Sequence, residues 1–216
     1  MKGLPPYLNT MHTWAFAVLL LCAAASAYKI GAFPTGLVAA ILVCSALDFA
    51  IKKFILKRSL SFPASFPSSA AITGVIIGSI APIDAALAVI FAASAIAIAS
   101  KHLVKFRGRH IFNPATLGLF AALSFFRMGD AWWAAAASIS VLGFAFPLTI
   151  VLVIANYAAN KLRVAIPFLL ATALLYAATE FVKVPLTTAG LLAFASAMPF
   201  YFAFIMLSEP KTSPYA

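Results

Sequence analysis

From Met11 to Leu207 the chain is a succession of eight apolar runs joined by short loops, and that layout constrains its fold more than any motif does. About 20 apolar residues make a helix long enough to cross about 30 Å of hydrocarbon, and most of the runs are roughly that size. Hydrophobic residues are 64% of the chain and charged residues 9%, with a mean hydropathy of +1.06, outside ordinary soluble composition. The reading is an all-α, polytopic protein of the inner or plasma membrane. Its segments fall at approximately 11–28, 31–51, 67–80, 83–100, 112–126, 132–157, 164–181 and 186–207. They form one membrane domain, with a first half over about 11–126 and a second over about 132–207. The long first run has no clear small-residue cleavage site, so no removable leader is expected.

Charge gives the orientation. The loops assigned to the inner side hold Lys2, Lys52, Lys53, Lys57, Arg58, Lys101, Lys105, Arg107, Arg109, Lys161, Arg163 and Lys211. The outer loops hold Lys29, Arg127 and Lys183. Cationic loops stay on the cytoplasmic side, so both termini are placed inside. The formal net charge of +10 could suggest nucleic acid, but the positives sit at helix ends rather than on one face, and nucleic acid is not expected as a partner. Cys22 and Cys44 lie in antiparallel segments, roughly 10 Å apart in depth at 1.5 Å rise per residue. A disulfide needs Cα atoms within about 7 Å, so both are read as small core residues.

Two segments are short. Ser68 to Ile80 spans about 20 Å as a helix before Pro82 stops it, and the run after Asn113-Pro114 is similarly brief. Short helices interrupted by Gly or Pro point to binding sites in transporter-like proteins; a space-filling hairpin is the plainer reading. Walker and Rossmann signatures are missing, and His12, His102 and His110 are too scattered to suggest a metal site.

Three constellations carry chemistry. In the first, Arg107, Arg109 and His110 lead into Asn113-Pro114-Ala115-Thr116, where Asn113 suits an N-cap and Pro114 the first helical turn. Free N–H groups, the helix dipole and two arginines could hold a phosphate, a carboxylate or an electron-rich ring carbonyl. A topology-setting loop followed by a capped helix explains the same residues. The second constellation is Ser208 to Pro214, where Glu209 stands at the membrane boundary near Lys211 and Thr212. The third is Ser68 to Ser79, rich in the small residues that let helices approach closely, with Thr73 and Gly74 the candidate contacts. Asp48 and Glu180, near the ends of the second and seventh segments, are weaker ion-path candidates and otherwise helix anchors.

Taken in order, "AITGVIIGSIAP", "GRHIFNPATLG" and "FIMLSEPKTSP" resemble the RnfD/NqrB family. Its members are membrane subunits of the Rnf electron-transport complex and of the sodium-pumping NADH:quinone oxidoreductase. The resemblance implies a urea-channel-like fold of two inverted five-helix halves, here lacking its last helices. It also implies a membrane subunit that holds flavin (riboflavin or FMN) and passes electrons received from a reductase partner, coupled to sodium or proton movement. On that likeness Arg107, Arg109, His110, Asn113 and Thr116 would help enclose the ring, and Glu209, Lys211 and Thr212 would approach from the second half; Thr73 joins them where the site extends to the third segment. The family's covalent-flavin motif, Ser-Gly-Ala-Thr, does not occur in the chain, so any flavin is expected to be noncovalent. Two other readings stand beside this one. The chain could be a channel or carrier for a small polar solute such as urea or riboflavin, or a structural subunit that anchors partners.

Overall fold

A computed structural model of the chain describes residues 11–57, 68–106, 109–129, 131, 133, 134, 153, 157 and 162–180. The described residues are mainly helical: α1 (Met11–Ile30), α2 (Thr35–Ala50) with a π-helical turn at Ile51–Ile55, α3 (Ser69–Ile80), α4 (Leu87–Leu103), α5 (Pro114–Phe126) and α6 (Leu162–Glu180). The all-α reading holds, with one addition. Lys105–Phe106 (β1) and Arg109–His110 (β2) pair antiparallel in a two-residue ladder, where a plain loop is expected. The chain divides into two compact units, Met1–Ala134 and Ala135–Ala216. The expected segments at 186–207 and over most of 132–157 lie outside the described residues.

Local chemistry explains the ends of α3. Ser68 is extended and its hydroxyl accepts from the Ala71 N–H, an N-cap, while Pro82 removes the donor that would continue the helix. Ten of the twelve residues of α3 are buried, so it forms the centre of the first unit. Its packing against α2 depends on Gly74 and Gly78, one turn apart. A Cβ on Gly74 would lie 2.6 Å from the Ala40 carbonyl oxygen, and one on Gly78 would collide with the Leu37 backbone. Backbones this close exist only because neither residue has a side chain. Rising position on α3 meets falling position on α2, so the two run antiparallel. Gly36 lies against Ile90 and Asp48 against Lys101, so α2 and α4 run parallel.

Pro82 also leaves the Gly78 carbonyl without its normal i+4 partner. The Trp133 indole N–H supplies the bond instead, at 2.9 Å, and the Ala131 N–H donates to the Ile80 carbonyl at 2.8 Å. The Ser26 hydroxyl then donates to the Ala134 carbonyl at 2.7 Å, which ties this segment to α1. Trp133→Phe keeps most of the ring's volume but strands a buried carbonyl, so a loss of about 1–3 kcal/mol is expected. Denaturant unfolding of both proteins in one detergent measures it.

Helix α4 starts four residues later than the expected 83, because Pro82 to Ala85 forms a turn closed by the Ala85 N–H on the Pro82 carbonyl at 3.0 Å. Its end therefore runs on to Leu103, and Lys101 sits inside the last helical turn rather than in a loop. Among the described residues no helix is long and apolar enough to cross a membrane. Helices α2 to α5 have 16, 12, 17 and 13 residues, against about 20 needed. The longer α1 and α6 spend part of their length on His12, Lys29 and Arg163.

In the second unit, α6 is described. Ala165 is buried there, with Leu162, Phe168 and Leu169 packed on it.

Candidate functional site

One end of the first unit gathers the C-termini of α2 and α4, the N-termini of α3 and α5, and the β1–β2 hairpin. Lys52, Lys53, Lys57, Lys101 and Lys105 are all at this end, and Lys29 and Arg127 are at the other. Register in the hairpin places Lys105 opposite His110 and Phe106 opposite Arg109.

The start of α5 is capped as its sequence predicts, but the cap uses up the donors expected to bind a ligand. Asn113 Oδ1 accepts from the N–H groups of Ala115 at 2.9 Å and Thr116 at 3.3 Å, and Pro114 has no N–H to offer. The backbone of this turn is thus satisfied from within. What it still presents is its dipole and the exposed Thr116 side chain. Thr73 needs a similar correction: it is buried, and its hydroxyl donates to the Ser69 carbonyl one turn back, at 2.9 Å. Its hydroxyl proton is thus used within α3. His110 is half-buried in β2. The Arg109 backbone belongs to β2, but its side chain, and the whole of Arg107, Glu209, Lys211 and Thr212, lie outside the described residues.

A second cluster, deeper at the same end, centres on Asp48 in the last turn of α2. Its side chain is 3% exposed. Oδ2 meets Lys52 Nζ at 2.6 Å, and Oδ1 meets Lys101 Nζ at 3.3 Å and His102 Nε2 at 2.9 Å. The Lys101 side chain is 6% exposed and that of His102 11%. One buried carboxylate therefore faces two ammonium groups. The parallel packing of α2 and α4 brings Lys101 and His102 to Asp48, and the C-terminal dipole of α4 favours cations at this end.

The π-helical turn follows directly, with the Leu56 N–H reaching back five residues to the Ile51 carbonyl at 2.9 Å. The Lys53 ammonium stands over the Phe49 and Phe54 rings, 5.5 and 5.6 Å from their centroids.

The Asp48–Lys101–His102 grouping is the site that sequence reasoning passes over. Its visible signals are a lone acid inside an apolar run and a lysine four residues on. The link to α4 has no sequence signature. Cys22 and Cys44 are buried and free, as expected. Among the described residues no group of three or more His, Cys, Asp or Glu side chains could hold a metal ion.

No family model, curated protein or solved structure matches the chain.

Proposed function

We propose that the chain is a membrane-embedded subunit of a flavin-dependent electron-transport complex, of the kind its three motifs resemble. In this reading it holds riboflavin or FMN noncovalently at the cationic end of the first unit. The observation that supports it best is the charge segregation there. Among the described residues five lysines and the hairpin converge at that end, and its one acid, Asp48, is already engaged by Lys52 and Lys101. The remaining donors are cationic or hydroxyl groups, which suit a ring whose polar edge becomes negative on reduction. Arg107, Arg109, His110, Lys105 and Thr116 would hold that edge. A bound flavin supplies electron storage, and surrounding positive charge stabilises its reduced form and so raises its potential.

Membrane residence is part of the proposal and rests on the outer surface. Leu42, Phe91, Phe120 and Phe125 on the first unit and Leu170, Leu174 and Leu175 on α6 are exposed, Phe125 by 79% and Leu174 by 72%. Water does not favour large aliphatic and aromatic side chains spread over successive helices, whereas lipid does. In addition, α2 and its π turn form one uninterrupted rod from Thr35 to Ile55. A cytoplasmic reductase is the expected electron donor, and coupling to sodium or proton movement belongs to the same reading.

The test is the visible spectrum of the detergent-purified protein before and after dithionite, followed by acid precipitation. A flavin spectrum that bleaches and passes into the supernatant supports a noncovalent redox subunit. A pellet that stays yellow overturns the noncovalent attachment, and a colourless protein with its partners present overturns the redox reading. Arg109→Ala is expected to lower flavin retention roughly 10- to 100-fold, the equivalent of one charge-assisted hydrogen bond. Flavin fluorescence per mole of protein reads it, and unchanged retention would remove Arg109 from the site.

A further inference from the structure

The geometry points to the Asp48–His102 pair as a proton-accepting site, with Nδ1 of His102 the atom that takes the proton. Nε2 lies 2.9 Å from Asp48 Oδ1. A carboxylate can only accept, so Nε2 carries the hydrogen and Nδ1 of the neutral ring is a bare lone pair. That lone pair is enclosed and has no hydrogen-bond partner among the described residues. A buried imidazole held by a carboxylate on one nitrogen and unsatisfied on the other is oriented to act as a base.

The step balances without any further reactant. A hydronium ion at the cationic end breaks one O–H bond, its proton forms an N–H bond with the Nδ1 lone pair, and water is left. The ring becomes imidazolium, and its Nε2–H stays on Asp48. Release breaks the same N–H bond and returns the proton. Nδ1 itself is enclosed, so the proton reaches it when the end of α4 opens toward the solvent that Lys105 already meets. The charged and titratable groups around the pair are Asp48 and Lys52 on α2 and its π turn, Lys101 on α4, Lys105 on β1 and the Cys44 thiol on α2. With two ammonium groups already facing one carboxylate, the second proton is favoured most when negative charge arrives nearby. On the functional reading above, that charge is the reduced flavin. The site itself does not depend on that reading.

Nitrogen NMR of the full chain in lipid nanodiscs with 15N-labelled histidine tests it, with His102→Gln assigning the signal. At about pH 8 the expected His102 signals are a protonated Nε2 and a bare Nδ1, with a second N–H appearing on Nδ1 below the ordinary imidazole range, because burial and the nearby Lys105 and Lys101 charges resist the imidazolium. Asp48→Asn should move that titration to lower pH, since the carboxylate that holds the imidazolium is gone. An Nδ1–H tautomer in the unmodified chain, or no second proton by about pH 5, overturns the assignment even if Asp48→Asn does not fold. An unchanged titration in a folded Asp48→Asn also overturns it. A colourless protein would defeat the redox reading and leave these spectra as they are.

Discussion

Asp48→Ala is expected to destabilise the protein by about 3–5 kcal/mol, the cost of leaving one partner of a buried ion pair uncompensated. Lys101 is the partner most affected, because its side chain is 6% exposed in the last turn of α4. Lys52 is less affected because it is partly exposed and can turn outward. A double variant separates charge from packing. Asp48→Val with Lys101→Met removes both buried charges with little change in volume, and such replacements are often neutral. It should recover most of the lost stability. Urea unfolding in a fixed detergent, followed by circular dichroism, measures all three proteins. A loss under about 1 kcal/mol in Asp48→Ala would mean that the cluster is wet and energetically idle.

Gly78→Val should cost at least about 3 kcal/mol, at or above the upper part of the range for overpacking a tight core. The atom that a new Cβ meets is the Leu37 Cα, which is backbone and cannot rotate aside. Helix α3 would have to leave α2, and the Gly78 carbonyl would leave the Trp133 indole with it. Gly36→Ala is the contrasting substitution. Its Cβ would sit 3.6 Å from Ile90 Cγ1, an ordinary contact, and alanine is a better helix former by about 1 kcal/mol. That variant is expected to be neutral or slightly stabilised. Similar melting temperatures for Gly78→Val and Gly36→Ala would show that α2 and α3 do not pack through their backbones.

The difference between these two glycines marks how far the sequence can be read. "GVIIG" announces a close helix contact through its small residues, as expected of the stretch from Ser68 to Ser79. Which glycine touches backbone and which touches a yielding side chain depends on the partner helix, and no local pattern in α2 or α3 records it. Asn113 illustrates a subtler limit. Its cap is legible from the Asn-Pro pair, but the expectation that the turn's N–H groups stay free for a ligand fails. The capping oxygen takes both of them. Thr73 shows the same local preference, since its hydroxyl proton goes to its own helix carbonyl.

By itself the sequence determined the helical class, the ends of α3 and the start of α5. Caps, prolines and apolar runs act over a few residues, where chain connectivity guarantees contact. Only the tertiary structure decided that α2 and α4 lie parallel, and hence that Asp48, Lys101 and His102 form one buried cluster at two helix C-termini. Residues 53 and 54 positions apart meet because α2 packs directly along α4, with Gly36 against Ile90. Two ammonium groups share one carboxylate there only once the helices have chosen their neighbours.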